Sequence, residues 1–358
     1  MKKAFFLAIA APLLAGCAHE RGGMGAGHGP GNSSHHGVSE IGSFHVGGRQ
    51  TTLSGLPAKE IVFTAGAPPV KVDPNGDFEV EQMYVQYVKL FGPYARAKYP
   101  LLLWHGGGLS GVTWETKPEG RPGWQQFFLK AGHDVYVSDA VERGRASWAR
   151  HPEIFKTEPF FRTKQEAWEL FRIGPLDSYA TDPAGRKAQA EGTQFLVDAF
   201  DQFAKQGIPR WATNDAATQA AYDALVQKVC PCVILVHSQG GNFSFNAALK
   251  APDKVKAVIA VEPSGAPDPA KADLAKLKGV PHLFVWGDYL DRQDLWKRIT
   301  PNVDKYEAAL REQGGIIDRI DLPKAGMRGN SHMLMMDKNS DQVAQLVQDW
   351  MAKNGLMR

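Results

Sequence analysis

Apolar residues follow one pattern near the start of the chain and another after residue 100. Short segments rich in β-branched and aromatic residues come first, at 45–53, 61–65 and 79–90. Pro68-Pro69 and the segment 73–76, which reads Asp-Pro-Asn-Gly, separate them. Segments of this length with turn formers between them predict antiparallel strands. We expect these strands to form one edge of a sheet.

After Pro100 the apolar residues form uninterrupted runs, with helical stretches between several of them. The runs are 101–105, 135–140, 233–237, 255–261, 282–286 and 316–321. Strands that are apolar on both faces predict a mostly parallel sheet with helices on both sides. The interval from about 148 to 215 breaks this alternation with aromatic residues, prolines and helix-like stretches such as 163–171 and 188–203. We expect it to be a helical cap inserted between two core strands.

The first 45 residues predict export rather than a folded unit. Residues 1–16 carry two lysines and an apolar run too short to span a bilayer, which is typical of a signal peptide. The next motif, L-A-G-C ending at Cys17, resembles a bacterial lipobox and implies a lipid anchor on Cys17. Ala18 then favours the outer membrane, facing the periplasm. Residues 17–45 are rich in Gly, His and Ser and predict a flexible tether, which leaves 46–358 as the folded domain.

Composition sets limits on the chemistry. The 358 residues hold 41 Lys and Arg against 38 Asp and Glu, so the chain lacks the clustered basic charge that a nucleic-acid partner requires. Three cysteines cannot build a disulfide framework in a chain of this length. We expect Cys230 and Cys232 to be buried or partly oxidised thiols, because one intervening residue strains an intrachain disulfide and two thiolates supply only half a zinc site.

The most specific motif is a buried strand that ends in a serine followed by two glycines. Residues 232–242 read C-V-I-L-V-H-S-Q-G-G-N, which predicts that Ser238 lies on a sharp turn into a helix. Such a turn presents the hydroxyl as a nucleophile beside a base and oxyanion donors. The motif resembles the nucleophile elbow of the α/β-hydrolase superfamily, G-x-S-x-G, although Val236 stands where the first glycine is usual.

A run of three glycines, Gly106 to Gly108, follows the apolar run 101–105. Exposed backbone N–H groups are what an oxyanion hole requires. The superfamily resemblance implies one donor from this loop and one from the residue after the serine. By position these are Gly107, with Gly108 as the alternative, and Gln239. The chain has no G-x-x-x-x-G-K-[ST] motif, which disfavours phosphate binding.

The general base is expected on the loop after the last strand, where the chain order nucleophile, acid, base leaves His332 as the candidate. Three carboxylates compete for the acid. Asp288 and Asp291 follow the run 282–286, after which members of the superfamily usually carry their acid. Glu262 closes the apolar run 255–261, and a buried carboxylate there needs a partner such as His332.

Longer motifs narrow the resemblance. Over roughly residues 46 to 350 the chain resembles a small group of secreted bacterial esterases. The motifs that carry this resemblance are the segment 106–116 (G-G-G-L-S-G-V-T-W-E-T), the dipeptide Gly123-Trp124, the segment 143–145 (R-G-R) and the cap segment 168–175 (W-E-L-F-R-I-G-P). That group takes a glutamate after strand six as its acid, which favours Glu262 over Asp291. It carries consecutive cysteines in the oxyanion loop, where this chain has glycines.

The resemblance implies an α/β-hydrolase fold and a carboxylic-ester hydrolase acting on a small-molecule ester. Ser238 would be the nucleophile, His332 the base and Glu262 the acid, with Gly107 and Gln239 as oxyanion donors. The reaction requires no metal or organic cofactor, and the membrane is a partner only through the lipid anchor. An amidase or lactonase on the same residues, or an inactive envelope lipoprotein of the same fold, is the alternative interpretation.

Overall fold

The computed structural model describes residues 37–358. The predicted signal peptide, the candidate lipid attachment site Cys17 and most of the predicted tether lie outside the described residues. None of the helices in this part of the chain is long and apolar enough to cross a membrane.

An eight-stranded sheet forms the centre of the described chain, beside a small two-stranded ribbon. The strands are β1 (Val38–Leu53), β2 (Lys59–Ile61), β3 (Val70–Val72), β4 (Gly76–Leu90), β5 (Leu101–Trp104), β6 (Val135–Asp139), β7 (Cys232–His237), β8 (Val255–Val261), β9 (His282–Trp286) and β10 (Ile317–Asp321). The order in the sheet is β1-β4-β6-β5-β7-β8-β9-β10. From β6 to β10 all neighbours are parallel, whereas β1 and β4 form the antiparallel edge.

Helices cover both faces of this sheet. The α-helices are α1 (Val112–Glu115), α2 (Trp124–Ala131), α3 (Lys164–Leu170), α4 (Phe200–Ala204), α5 (Asp215–Val229), α6 (Gly240–Lys250), α7 (Asp294–Glu312) and α8 (Ser340–Lys353). Single 3₁₀ turns lie at Gly92–Tyr94, Pro183–Gly185, Val197–Ala199, Leu274–Leu277 and Leu290–Arg292. The predicted mostly parallel sheet with helices on both faces is therefore confirmed.

The fully buried strand β5 shows why the sequence produces two cores. Leu101 and Leu103 belong to one apolar cluster, which also contains side chains of α2 and α8. Leu102 and Trp104 point to the opposite face and join side chains of α5, α6 and α7. Successive side chains of a strand alternate between its faces, so an unbroken apolar run serves both clusters.

The folded domain begins earlier than the predicted residue 46. β1 starts at Val38 and pairs with β4 along its length, with Phe44 opposite Val85. The boundary was wrong because most of residues 37–45 are polar or glycine, and backbone pairing with β4 orders them without an apolar repeat. The predicted strand 61–65 retains only Ile61, since the side chains of Val62 and Phe63 are exposed.

The interval predicted as a cap lies between β6 and β7 and contains α3 and α4. Trp168, Phe195 and Phe200 are buried in the same cluster as α2 and α8, so the interval packs onto the sheet domain. The helix expected over 188–203 is reduced to a 3₁₀ turn and α4. Gly192, with φ of 102°, sits in the left-handed region and interrupts a helix there.

Cys230 and Cys232 form a disulfide at the start of β7. The expectation of two thiols was therefore wrong. The two Cα atoms are 4.3 Å apart across Pro231, a separation close to the lower end of the range that disulfides span.

Candidate active site

Ser238 lies at the turn between β7 and α6. All six residues of β7 are buried, and Ser238 leaves the strand with φ of 54°, in the left-handed region that a side chain rarely adopts. Its amide donates to the carbonyl of Val261 at 3.0 Å, and its own carbonyl accepts from Gly241 at 2.9 Å. The strained turn is thus held by the neighbouring strand β8 and by the first turn of α6.

The departure from G-x-S-x-G is accommodated by a glycine on the other side of the serine. Val236 is buried in the cluster that contains α5, α6 and α7. A Cβ on Gly240 would lie 2.5 Å from Cγ2 of Val236 and 3.0 Å from the carbonyl oxygen of His105. The close approach of strand and helix therefore requires glycine at position 240, while a valine fits at 236.

The glycine run passes directly over this turn. A Cβ on Gly106 would lie 3.0 Å from Cβ of Ser238. A Cβ on Gly107 would lie 2.8 Å from Oε1 of Gln239, so the two expected oxyanion donors are neighbours. The alternative donor, Gly108, has φ of 71°, and its carbonyl accepts from Ile208 of the cap at 2.9 Å.

His332 follows β10 and is fully surrounded by protein. Its amide donates to the carbonyl of Phe171 in the cap at 2.8 Å, and its own carbonyl contacts Nε2 of His237 at 3.0 Å. The imidazole lies among three rings, with centroid distances of 5.3 Å to Phe171, 4.5 Å to His237 and 4.5 Å to Trp296. Because His237 immediately precedes Ser238, these contacts hold the imidazole next to the serine turn.

Of the three candidate acids, Glu262 contacts His332. Its Oε2 lies 3.0 Å from Nδ1 of the imidazole. Asp288 instead accepts from the amides of Tyr289 and Gly329, at 2.9 Å each. Asp291 is exposed on a 3₁₀ turn.

Arg172 is the partner of Glu262 that the sequence did not reveal. Its Nη2 lies 2.8 and 2.7 Å from the two carboxylate oxygens, and its Nε donates to the carbonyl of Asp288 at 2.7 Å. The amide of Gly287 donates to the same carboxylate. Arg172 occurs in the cap segment 168–175 that carried the esterase resemblance, but its sequence neighbourhood gave no reason to pair it with position 262.

Asp337 is a second buried carboxylate that the sequence did not single out. Its oxygens accept from Nδ2 of Asn330 at 2.9 Å, from the amide of Ser331 at 2.9 Å and from Oγ of Ser331 at 2.7 Å. These bonds fix the two residues before His332. Burial raises the pKa of Asp337 to about 7, so the carboxyl becomes partly neutral near physiological pH.

The charges of the site follow from burial and from Arg172. Burial opposes ionisation of Glu262, but the charge of Arg172 and the contact with His332 outweigh it and hold the pKa of this carboxyl below its ordinary value. Burial lowers the pKa of His332 to about 4, although Glu262 acts in the opposite direction. At neutral pH the carboxylate is charged and the imidazole is neutral, with Nδ1–H donating to Glu262 and Nε2 able to accept a proton.

A small cavity adjoins the glycine run. It has a volume of about 40 Å³, which is room for roughly three water molecules. Gly107, Gly108 and Phe171 line it on one side, and Arg162, Phe203 and Gly207 of the cap line it on the other. Within residues 37–358 there is no group of three His, Cys, Asp or Glu side chains that could hold a metal ion.

The His332 imidazole should gain a proton only near pH 4, because burial disfavours the charged ring. The unfolded chain binds that proton near pH 6.5, so this group's stabilisation of the fold is complete above pH 6.5 and is lost as the pH falls towards 4. An NMR titration of protein labelled with ¹⁵N-histidine, with His332→Asn to assign the signal, measures this pKa. A midpoint near 6.5 would contradict the described environment.

Comparisons with known proteins agree with this architecture. A family model described as the alpha/beta hydrolase fold matches residues 228–349, the span that contains Ser238, Glu262 and His332. A bacterial esterase of known structure is 33% identical and superposes with a TM-score of 0.74, covering 92% of this chain and 98% of its own. A probable secreted lipase, phiG, of Fungal sp. (strain ATCC 74256) is 26% identical over 330 residues, covering 78% of this chain and 88% of the lipase.

The similarity to the bacterial esterase covers nearly all of the chain and agrees with the mostly parallel eight-stranded sheet. The fold-family resemblance seen in the sequence is confirmed. The protein belongs to the α/β-hydrolase superfamily and groups with its esterases and lipases.

Proposed function

We propose that this protein is a serine esterase that hydrolyses carboxylic esters through an acyl-enzyme intermediate. The observation that carries the proposal is the contact of the buried Glu262 carboxylate with Nδ1 of His332, whose imidazole packs on His237 beside the strained turn at Ser238. A neutral imidazole oriented by a charged carboxylate is what activation of a serine hydroxyl requires. The similarity to a bacterial esterase and to a protein named a probable secreted lipase gives further support.

In the first step the Ser238 hydroxyl attacks the ester carbonyl carbon while Nε2 of His332 takes its proton. Glu262 accepts the Nδ1–H bond, which fixes the tautomer with Nε2 free and stabilises the imidazolium that forms. The protonated ring then gives its proton to the leaving alcohol. This yields a Ser238 acyl ester and the free alcohol.

The carbonyl oxygen becomes negatively charged as the tetrahedral intermediate forms. The backbone N–H groups of Gly107 and Gln239 are the proposed donors to it. The support is that Gly107 lies against the side chain of Gln239, the residue after Ser238. Because backbone donors cannot move away or lose their protons, their stabilisation is available without reorganisation. Removing one donor of this kind typically costs about 10²–10³ in rate.

In the second step a water molecule attacks the acyl-enzyme. His332 takes a proton from this water, the C–O bond to Ser238 breaks, and the proton is returned to the serine oxygen. The products are the carboxylic acid and the regenerated enzyme.

We also propose that the mature protein acts outside the cytoplasm, attached to the membrane through a lipid on Cys17. The support is the signal-like segment 1–16, the L-A-G-C motif, and a relative named as secreted. Two acyl chains bury enough methylene groups, at about 0.8 kcal/mol each, to hold a soluble domain at a membrane surface.

Ser238→Ala should abolish covalent labelling by a fluorophosphonate and lower kcat for 4-nitrophenyl acetate by about 10⁴–10⁶-fold, because the nucleophile is removed. Labelling is read by mass spectrometry of the peptide that contains position 238. Ser264→Ala is the matched control, since the amide of Ser264 contacts the Ser238 carbonyl but its hydroxyl has no assigned part in the reaction. Wild-type protein that neither labels nor turns over would instead support an inactive member of the fold.

Cys17→Ser should move the protein from the membrane pellet to the soluble fraction of cells that export it, because the thiol that would carry the lipid is absent. Fractionation followed by immunoblotting measures the shift, and mass spectrometry of the mature N-terminus identifies the lipid. Ser33→Ala is a suitable control, since it changes one side chain of the same predicted tether but leaves the proposed attachment site and the Cys230–Cys232 disulfide. Unchanged membrane retention of the Cys17 variant would refute the anchor.

A further inference from the structure

Arg210 brings a guanidinium group to the glycine run of the candidate active site. It lies in the cap, just before α5, and its backbone is paired with Phe160, whose carbonyl accepts from the Arg210 amide at 2.9 Å. A Cβ on Gly107 would lie 2.8 Å from Nη1 of Arg210 and 2.8 Å from Oε1 of Gln239. The guanidinium is therefore beside both proposed oxyanion donors.

No carboxylate neutralises this group within residues 37–358. Arg210 forms no ion pair with the described residues, and its buried Nε has no hydrogen-bond partner among them. Burial lowers the pKa of Arg210, and the charge of Asp215 opposes that effect without an ion-pair contact. The side chain remains a cation at neutral pH.

A second buried cation, Arg143, lies close to Gln239. Arg143 is 5% exposed and donates from Nη1 to the carbonyl of Pro209 at 2.7 Å, with no carboxylate in ion-pair range among the described residues. It lines a small enclosed space that Gln239 and Gly240 also line. Burial lowers the pKa of Arg143 to about 10, and the like charge of Arg210 acts in the same direction.

Arg162 adds a third guanidinium at the mouth of the cavity beside Gly107. Unlike the other two it has a carboxylate partner, Glu166 at 3.3 Å, and it lies over the ring of Phe171 at 5.8 Å. Within the arginine cluster, defined as Arg143, Arg162 and Arg210, only Arg162 has a carboxylate in direct contact among residues 37–358. Asp215 and Glu142 act on the other two arginines only from a distance. An uncompensated, partly buried cation is costly unless a ligand supplies the opposite charge.

We propose that the physiological substrate is an ester that carries a carboxylate, and that Arg210 binds this carboxylate. The proposal rests on the proposed esterase function and names its substrate class. A planar guanidinium with free N–H groups matches the two oxygens of a carboxylate, and charge-assisted bonds of this kind are stronger than neutral ones. A neutral ester would leave Arg210 as unpaired as it is in the free protein.

The test compares two pairs of esters that differ in charge but not in shape. Mono-4-nitrophenyl glutarate is matched with 4-nitrophenyl 5-methylhexanoate, in which an isopropyl group replaces the carboxylate on the acyl side. 4-Acetoxybenzoate is matched with 4-isopropylphenyl acetate, which makes the same exchange on the alcohol side. Each kcat/KM is divided by the second-order rate constant for hydroxide attack on that ester, so that intrinsic reactivity cancels. The spontaneous rate is not used for this, because the glutarate carboxylate also attacks its own ester intramolecularly.

Wild-type protein should prefer the anionic member of at least one pair by about tenfold or more, and the pair that shows it locates the carboxylate. Arg210→Gln should abolish this preference while kcat/KM for the neutral ester changes by less than about threefold. Arg210→Lys should retain part of the preference for the anionic ester, because lysine keeps the positive charge but lacks the planar pair of N–H donors of a guanidinium. Arg298→Gln, which removes an exposed arginine on α7, is the matched control and should leave the preference unchanged.

Two outcomes would overturn the proposal while leaving the esterase function intact. The first is a wild-type protein whose normalised kcat/KM for each neutral ester equals that for its anionic partner. This result does not depend on the folding of any variant. The second is an Arg210→Gln protein that loses activity equally on charged and neutral esters, which would assign Arg210 to the oxyanion instead. Absence of turnover and of fluorophosphonate labelling in wild-type protein would refute the esterase function itself.

Discussion

The buried ion pair between Arg172 and Glu262 is the interaction on which the candidate site depends. The two side chains are 1% and 0% exposed, so each would carry an uncompensated charge in the interior without the other. Arg172 comes from the cap and also donates to the Asp288 carbonyl, while its guanidinium lies 4.9 Å from the ring of Trp296 on α7. One side chain therefore joins the cap, the end of β8, the loop after β9 and α7 around a single carboxylate.

This pair makes the cap part of the catalytic arrangement. A carboxylate at the end of an apolar strand would otherwise become neutral, and a neutral acid would orient His332 less strongly. The cap also contributes the Phe171 carbonyl, which holds the amide of His332, and Arg210, which lies against Gly107. The cap thus brings two arginines to the site. Glu262 neutralises Arg172, which leaves Arg210 to bind the carboxylate of an anionic ester.

The features that could be predicted from the sequence are those that a short stretch of neighbouring residues determines. The apolar runs predicted the parallel strands, and the turn after β7 identified Ser238 because a strand, a serine and two glycines are adjacent in sequence. Glu262 was favoured by a resemblance, and the contact with His332 is a long-range one across 70 residues. Arg172 was missed because its partner Glu262 lies 90 residues further along the chain. Asp337 and Arg210 were missed because nothing in their local sequence distinguishes them from surface charges. The start of β1 was missed because backbone pairing with β4, and not a repeat of apolar residues, orders it. The disulfide was missed because thiol oxidation leaves no trace in the pattern of apolar residues.

The most direct test of this account is the effect of removing the charge of each candidate acid on kcat for 4-nitrophenyl acetate. Glu262→Gln should lower kcat by about 10³–10⁴-fold, because an amide neither fixes the required tautomer nor stabilises the imidazolium. Asp291→Asn, on the exposed 3₁₀ turn, should remain within about twofold of wild type, with circular dichroism and thermal unfolding showing that both variants fold. Near-normal turnover in a folded Glu262 variant, with loss of turnover in the Asp291 variant, would contradict the account.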